Sequence, residues 1–528
     1  MQQTVLQTDC LTSAMASTDS NCQTANTGAH EQKTHVTKRV GYIYSEELML
    51  WHQGGMYAGH EPARVALGEG LVIEHEQHWE NAAPKRRVHT VLDVSGSMDL
   101  LVHVRPLRAR IDHAGLFHTE RYVNFLKDMH STQPFAKHGA LVETGDCAPM
   151  GANAFPTALL SAGACLTAVE NVLRGEFDAA YVLNRPPGHH ATADQGMGFC
   201  ILNNVALAVK ALQQYVSEHR LLLDDKPLRV VIVDLDVHHG NGTQEAFYSD
   251  PNVLFISVHQ QGLYPRETGY ISELGDQSVP DAMGTTINIP LPPGSGNGAY
   301  MYATKTVIVP ALEAFAPDVV FFSMGFDASA YDPLGNMMVS SSGFADCVTE
   351  ILRACSQLPT RLPIVSNLER GGFLAATGRS PVVNASQAPS CTPRLRLPVM
   401  MCHEGGYSPI LVPYAAPAVI DRLLCYVNDS LPNEESSVFE ESQAEVTKTN
   451  GLSAEIVELL SRDSNLARAF EYRNPLQSSP KLYHILPLSD PFHDELSTLP
   501  LQQVQPHQRA VVDLVRDLLK VYWAKSRI

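Results

Sequence analysis

The sequence lacks several patterns that would each place it in a special class of protein. Its ten cysteines are scattered and form no C-x-x-C pair, so we expect reduced intracellular thiols rather than a disulfide framework or a zinc ribbon. No window approaches eighteen consecutive apolar residues, so no membrane span is predicted. Residues 1–22 lack a basic start followed by an apolar run, so no secretory signal is expected. These absences predict a protein of the nucleus, the cytoplasm or both.

Positive charge is also scarce. The chain has 38 Lys and Arg against 56 Asp and Glu, a formal net charge of −18. Binding to phosphates requires clustered basic residues, so the composition argues against a general nucleic-acid binder. At 44% hydrophobic and 18% charged residues, the composition is otherwise that of an ordinary globular protein.

Short, β-branched apolar runs alternate with helical patterns along most of the chain. The runs at 179–183, 229–236, 252–258 and 318–325 resemble strands buried on both faces, and helices are predicted at 158–173, 203–216 and 299–315. This alternation predicts an α/β fold with a central, mainly parallel sheet. In such folds, functional groups gather beyond the carboxyl ends of the strands.

Other segments look peripheral to that core. Residues 1–37 are rich in Ser, Thr, Asn and Gln, which predicts a disordered tail. Two polar stretches, near 77–104 and 367–396, are predicted to be insertions, the second a long surface loop. The basic run Lys85-Arg86-Arg87 lies in the first and is expected to be solvated. An acidic linker is predicted near 432–447, and C-terminal helices within 452–524.

The strongest chemical motif follows the strand pattern at 229–236. Asp234, Asp236 and His238 alternate and would point to one side of an extended chain. Buried charges at a strand end are costly unless they are paired or bind a metal. One carboxylate and one imidazole on the same side can bind the same ion. Hydrogen bonding at the strand end is the alternative, and a lone D-x-H would more often mean that.

A second motif places His189 and His190 on a loop directly after another predicted strand. Two imidazoles with near-neutral pKa values can divide general-base and general-acid roles. Two solvated histidines on a surface turn are the alternative. Two further strands end near Asp327 and near Tyr407, the latter after a Gly-Gly turn that permits a close backbone approach to a ligand. All four groups are therefore predicted to share one crevice.

These motifs, in this order, resemble the zinc-dependent histone deacetylase family. The resemblance rests on RPPGHHATADQGMGFCILNN, VDLDVHHGNGTQEAFY, SVHQQGLYP, NIPLPPGSG, GFDA and EGGY, with GHEPAR nearer the start, and covers roughly residues 40–424. It is closest to class II members, because class I members usually have Asp where Asn241 stands. It implies a three-layer αβα fold of the arginase/deacetylase type, with residues 38–528 as one catalytic domain.

The resemblance also assigns roles at the catalytic centre. It implies that Asp236, His238 and Asp327 bind one Zn²⁺, and that a structural K⁺ is bound by Asp234, Ser257 and main-chain carbonyls near His238 and Val258. It makes His189 and His190 the catalytic pair, with Asp234 orienting His189. It also counts Asn241 among the catalytic residues, in place of a carboxylate that could raise the pKa of a catalytic histidine, and makes Tyr407 the oxyanion donor.

Substrate contacts are implied by the same resemblance. Asp146 would hold the substrate backbone, and Phe199, next to Gly198, would face Tyr264 across the acyl-lysine tunnel. Tyr264 occupies a position that is usually Phe. Leu334 would lie at the tunnel rim and Arg64 near an inner acetate cavity.

The implied activity is metal-assisted hydrolysis of acetyl-lysine in proteins, with histone tails or other basic segments as substrates. No direct contact with nucleic acid or membrane is expected, and membership of a multiprotein complex stays open. Acetylpolyamine hydrolysis is one alternative, although the apolar Leu334 supplies no counter-charge for a second ammonium. A non-catalytic acetyl-lysine-binding scaffold is the other, although Tyr407 and the metal ligands are all retained.

Overall fold

An eight-stranded sheet forms the centre of the computed structural model, and every neighbouring pair of its strands runs parallel. The structure describes residues 40–49, 78–132, 142–151, 154–222, 226–378, 389–432 and 502–523, together with Asp224, Leu496 and Leu499. The predicted tail at 1–37, the acidic linker near 432–447 except its first residue, and most of the predicted C-terminal helical region before residue 502 lie outside these residues. The described residues from 40 to 523 belong to one compact unit.

The described residues form fourteen strands, and most of those in the central sheet are buried along their whole length. The strands are β1 (Val40–Ile43), β2 (Leu101–Val104), β3 (Val142–Glu143), β4 (Gly145–Asp146), β5 (Pro149–Met150), β6 (Ala179–Val182), β7 (Gly196–Met197), β8 (Val230–Asp234), β9 (Val253–Gln260), β10 (Thr286–Leu291), β11 (Val319–Met324), β12 (Ile364–Val365), β13 (Cys391–Thr392) and β14 (Val399–His403). The central sheet has the order β10-β9-β8-β11-β14-β6-β1-β2. The predicted α/β fold with a parallel sheet is therefore confirmed.

The helices are α1 (Ala83–Val94), α2 (Ile111–Ala114), α3 (Glu120–Thr132), α4 (Ala154–Leu173), α5 (Asn204–Glu218), α6 (Asn241–Phe247), α7 (Asn297–Ala303), α8 (Val309–Phe315), α9 (Ser341–Gln357), α10 (Gly372–Ala376), α11 (Val412–Val427) and α12 (Pro506–Trp523). A π-helical turn at Thr304–Ile308 joins α7 to α8. Side chains fix several helix starts: the Asn203 side chain accepts a hydrogen bond from the Ala206 N–H (3.0 Å), and Ser340 accepts one from Gly343 (3.1 Å).

Helices cover both faces of the sheet. Helices α4 and α11 both contact β1 and β6, while α1 and α9 pack on α11 and α5 packs on α4. By length and composition, α4 could cross a membrane, but 94% of its most apolar window is buried in the fold, as in a core helix. Helix α12 packs beside the edge strand β10, where Tyr522 lies against Gly284.

One segment differs from its prediction. Residues 78–104 are not an insertion outside the core, because they supply the edge strand β2 and the helix α1. Lys85 is not solvated: it is buried 3.8 Å from Glu80. The apolar signal was sparse, since Val88 and Leu92 are the only apolar residues of α1 that point inward besides Pro84.

The second predicted insertion, 367–396, is a surface loop only in part. Phe373 of α10 is fully buried and its ring lies 5.3 Å from that of Tyr215. Strands β12 and β13 pair in antiparallel fashion across the segment, and residues 379–388 lie outside the described part of the chain.

Candidate active site

The four predicted motifs meet at the carboxyl edge of the central sheet. His189 and His190 follow β6, Asp236 and His238 follow β8, Asp327 follows β11, and Tyr407 follows β14. Strands β8, β11, β14 and β6 are consecutive in the sheet. The parallel sheet therefore brings together groups that are far apart in the chain.

Asp236, His238 and Asp327 form a buried triad in which one possible ligand atom from each lies within 4.8 Å of the others. His238 Nδ1 lies 3.1 Å from Asp236 Oδ1 and 3.0 Å from Asp327 Oδ2. Strand β8 ends at Asp234, so the chain turns between Asp236 and His238 rather than extending as the sequence suggested. The two side chains nevertheless converge.

The backbone around the triad holds the carboxylates in place. The Val237 N–H donates to Asp327 Oδ1 (2.8 Å), and the Gly405 N–H donates to Asp236 Oδ2 (2.8 Å). A Cβ atom at Gly325 would overlap the Asp236 carboxylate, and one at Gly405 would overlap that of Asp327. The carboxylates therefore occupy the space that a side chain at either glycine would need.

The electrostatics of the triad favour a bound cation. Burial and the charge of Asp236 raise the pKa of Asp327 to about 6. Burial lowers the pKa of His238, but hydrogen bonds to Asp236 and Asp327 outweigh it and raise that pKa to about 10. Two buried carboxylates and an imidazole match the donor set of a zinc site, and three protein ligands leave a position for substrate or water, as in catalytic sites. The triad therefore fits the metal, typically zinc, that the predicted family implies.

The two histidines have different partners. His189 Nδ1 lies 3.0 Å from Asp234 Oδ2, whereas His190 Nδ1 lies 2.8 Å from Asn241 Oδ1. The Asn241 amide donates to the His190 carbonyl (3.3 Å) and to Met197 Sδ (3.2 Å). Its oxygen therefore faces His190, which makes Nδ1 of that ring the protonated nitrogen and leaves a lone pair on Nε2.

The surroundings of the two histidines shift their pKa values in opposite directions. Burial, followed by the charges of His189 and His238, lowers the pKa of His190 well below its usual value. Burial also lowers the pKa of His189, but Asp236 and Asp234 outweigh it and raise that pKa to about 10. His189 Nε2 lies 3.7 Å from Asp236 Oδ1, so the pair adjoins the metal triad. At neutral pH, these shifts favour a neutral His190 beside a positively charged His189.

Tyr407 is buried near the triad with its hydroxyl protonated. Its ring packs edge-on against Phe199 at 5.7 Å. Burial, followed by the charges of Asp327 and Asp236, raises the pKa of Tyr407 well above its usual value. The side chain of Asp332 fixes the turn, because it accepts hydrogen bonds from the backbone N–H groups of Tyr407 (2.7 Å) and Ser408 (3.2 Å).

The histidine loop is anchored by two groups that sequence reasoning missed. Glu404 Oε2 accepts hydrogen bonds from the N–H groups of Gly188 (2.6 Å) and His189 (3.3 Å). Arg185 pairs with Glu80 (3.1 Å), and both side chains are 1% exposed. Glu404 stands next to the Gly-Gly turn in the EGGY motif, which was the available signal. Glu80 offered no signal of its own.

The residues predicted to bind substrate lie around the histidine pair and the rim. Asp146 is exposed on β4, and the Tyr264 hydroxyl donates to it. The rings of Tyr264 and His190 are 5.1 Å apart. Gly198 and Phe199 both have positive φ, and any Cβ at Gly198 would press on His190 and Tyr264.

Other predicted residues have mixed outcomes. Leu334 is half-buried, and its N–H donates to Asp332 (2.9 Å). Arg64 lies outside the described residues. For the predicted potassium site, Asp234 of β8 stands opposite Ser257 of β9, next to Val258. The Ser257 hydroxyl lies 2.9 Å from His259 Nδ1, and the binding of potassium stays a prediction.

Comparison with known proteins agrees with this architecture. The family model described as the histone deacetylase domain matches residues 78–385. A histone deacetylase-like amidohydrolase from Pseudomonas aeruginosa is 34% identical over 392 residues, covering 74% of this chain and 87% of the relative. A probable deacetylase from Archaeoglobus fulgidus is 37% identical, covering 52% of this chain and 72% of its own. Histone deacetylase 8 of Arabidopsis thaliana is 34% identical, covering 61% and 80%.

A solved structure extends the comparison. The crystal structure of the HDA15 HD domain matches with a TM-score of 0.55 and 25% identity, covering 74% of this chain and 95% of that one. The fold and the buried site thus define an α/β protein of the deacetylase class, with the arginase/deacetylase architecture. Within that class, the chain belongs to the histone deacetylase family.

Proposed function

We propose that this chain hydrolyses acetyl-lysine side chains of proteins and releases acetate, using Zn²⁺ held by Asp236, His238 and Asp327. The observation that carries the proposal is the pair of histidines beside the triad, one held by a carboxylate and the other by an amide. A scaffold that only binds acetyl-lysine has no need for two histidines with opposite charge preferences. A hydrolase needs one group that accepts a proton and a stabilised positive charge nearby.

Each side chain has a chemical role in the proposed reaction. When bound, zinc would supply Lewis-acid polarisation of the amide carbonyl and acidify a water molecule. His190 accepts the proton of the attacking water at Nε2 and delivers it to the departing lysine amine. His189, held by Asp234, keeps a positive charge beside the reacting atoms. The Tyr407 hydroxyl donates to the developing oxyanion.

Further parts of the proposal follow from the resemblance. They are class II character, a structural K⁺ at Asp234, Ser257 and Val258, and substrates presented as basic protein segments such as histone tails. The net charge of −18 supports the last of these, because a net acidic protein attracts lysine-rich chains. Residence in the nucleus, the cytoplasm or both, and membership of a multiprotein complex, are proposed on the same footing.

Acetate release from the purified, zinc-analysed protein tests the proposal. We expect turnover of an acetyl-lysine peptide, little turnover of acetylspermidine, and a loss of about 100-fold to 1,000-fold in kcat for Tyr407→Phe, the usual cost of one oxyanion donor. Tyr302→Phe is a matched control, because the Tyr302 hydroxyl donates to Asp513 of α12 (2.8 Å) and not to a residue of the site. Preference for acetylspermidine would contradict the protein substrate. Peptide binding without acetate release by either form would indicate a scaffold.

A further inference from the structure

The hydroxyl of Tyr264 joins one side of the proposed tunnel to its rim. It lies 3.0 Å from Asp146 Oδ2 and 3.3 Å from the Asp146 carbonyl oxygen. Burial, followed by the nearby Asp146 charge, raises the pKa of Tyr264, so the hydroxyl stays protonated and donates. A phenyl ring would fill the same wall but could not make this charge-assisted hydrogen bond.

The Tyr264 ring is itself held firmly. It stands edge-on to the rings of His190 (5.1 Å) and His238 (6.2 Å). The Tyr264 ring also packs tightly against the backbone of Gly198, because a Cβ atom at Gly198 would approach Tyr264 to 2.9 Å. The hydroxyl is therefore fixed relative to the two histidines. The Asp146 carboxylate, which it binds, is held in a defined position as a result.

The backbone at Asp146 also binds the segment that carries Phe199, the residue predicted to face Tyr264 across the tunnel. The Asp146 carbonyl oxygen accepts the Gly198 N–H (2.9 Å), and the next carbonyl, that of Cys147, accepts the Phe199 N–H (2.9 Å). The short strand β4 pairs in parallel with β7, with Asp146 opposite Met197. The Tyr264 hydroxyl and the segment at Gly198 and Phe199 thus both hydrogen-bond to the strand that carries the exposed Asp146 carboxylate.

We propose that the Tyr264 hydroxyl is a positioning group that orients the Asp146 carboxylate toward main-chain amides of the substrate, making this site selective for acyl-lysine within a polypeptide. This inference rests on the proposed function and narrows its substrate class. A carboxylate held by one oxygen has lost much of its rotational freedom, so it binds peptide N–H groups at a smaller entropic cost. An acylated amine that lacks main-chain amides cannot form these hydrogen bonds, so the oriented carboxylate does not strengthen its binding.

Two substrates with the same reacting group distinguish recognition of the substrate main chain from recognition of the acylated side chain. One is an end-blocked tripeptide with a central acetyl-lysine, and the other is N-butylacetamide, which reproduces the side chain without main-chain amides. The measured quantity is the ratio of kcat/KM for the peptide to kcat/KM for the amide. We expect Tyr264→Phe to lower this ratio about threefold to tenfold, the scale of one weakened hydrogen bond. The control Tyr302→Phe removes a comparable Tyr–Asp hydrogen bond (2.8 Å) and leaves the ratio unchanged.

A double-mutant cycle then tests whether Tyr264 acts through Asp146. Asp146→Asn should lower the ratio at least as much as Tyr264→Phe, and the double variant should be no worse than Asp146→Asn alone. Additive effects, or an equal loss on both substrates, would overturn the inference. Peptide affinity by fluorescence anisotropy follows the same cycle without needing turnover. A wild type that binds peptide but releases no acetate would contradict the proposed hydrolysis, while the affinities would still decide the role of Tyr264.

Discussion

The carboxylate of Asp332 accepts the backbone N–H of Tyr407 at 2.7 Å. The same carboxylate accepts the N–H of Leu334 at 2.9 Å through its other oxygen. It therefore couples the turn that carries the proposed oxyanion donor to the loop that carries the rim residue. Asp332 is nearly fully buried, so water cannot replace these hydrogen bonds.

Asp332→Asn should weaken both stability and catalysis. The amide has one acceptor oxygen, so an N–H group on one side would face an NH₂ group instead. We expect a decrease of about 1–3 kcal/mol in the free energy of unfolding, the cost of an unsatisfied buried donor, and a tenfold or so lower kcat as Tyr407 shifts. Chemical denaturation and steady-state kinetics measure the two effects. Asp276→Asn is the control, since Asp276 also accepts a backbone N–H (2.8 Å) but is not buried. A wild-type kcat for Asp332→Asn would refute the positioning role.

Asp234→Asn should change the pH dependence of catalysis. Removing this carboxylate removes part of the stabilisation of the His189 imidazolium, so the pKa of His189 falls from about 10. The limb of the kcat/KM profile that reports loss of the His189 proton should therefore move to lower pH, by about one unit or more. A pH–rate profile over several buffers tests this, and an unchanged profile would show that Asp234 does not govern His189.

Asn241→Asp should act in the opposite sense on the other histidine. A carboxylate 2.8 Å from His190 Nδ1 favours the imidazolium and raises the pKa of His190. Because His190 must be neutral to accept a proton, the acid limb of the profile should move to higher pH. The same measurement on Asn241→Asp and Asp234→Asn compares the partners directly. If both substitutions moved the same limb in the same direction, the separate roles of the two histidines would be wrong.

Metal binding to this chain should release protons. The pKa of His238 is raised to about 10, so at pH 7 its imidazole carries a proton that must leave before the ring can bind a metal. We expect at least one proton released per Zn²⁺ and an affinity that weakens as pH falls below 10. Titration calorimetry in buffers of different ionisation enthalpy measures the number released. His238→Ala should lose tight binding, whereas His507→Ala, at an exposed position of α12, should keep it. Binding enthalpy independent of the buffer would contradict the prediction.

The elements that sequence reasoning predicted well are those whose signal is local. The runs that became β6, β8, β9 and β11 are apolar throughout, and a strand buried on both faces requires little else. Asp236 and His238 are two residues apart, and Asp327 follows a similar strand, so the parallel sheet alone brings them together. The class of fold and the grouping of the three candidate metal ligands were therefore predictable.

The groups that sequence reasoning missed act across long separations. Glu404 binds the backbone of Gly188 from 216 residues away, and Glu80 pairs with Arg185 across 105 residues. A charged residue in a polar stretch looks solvated until its partner is known. Helix α1 was misjudged for the same reason, because its inward face is apolar only at Pro84, Val88 and Leu92, and it becomes stable by packing on α11.

The space around the triad carboxylates has a consequence for protein engineering. Gly325 and Gly405 stand on two different strand ends, yet each abuts a carboxylate of the same triad. A saturation library at either position, selected for retained zinc, should return glycine almost alone, whereas a library at the exposed Gly262, where a Cβ would meet nothing within 4 Å, is limited only by its backbone angle. Substitutions that aim to change substrate selectivity are therefore better placed at rim residues such as Leu334 than at the glycines that contact the triad.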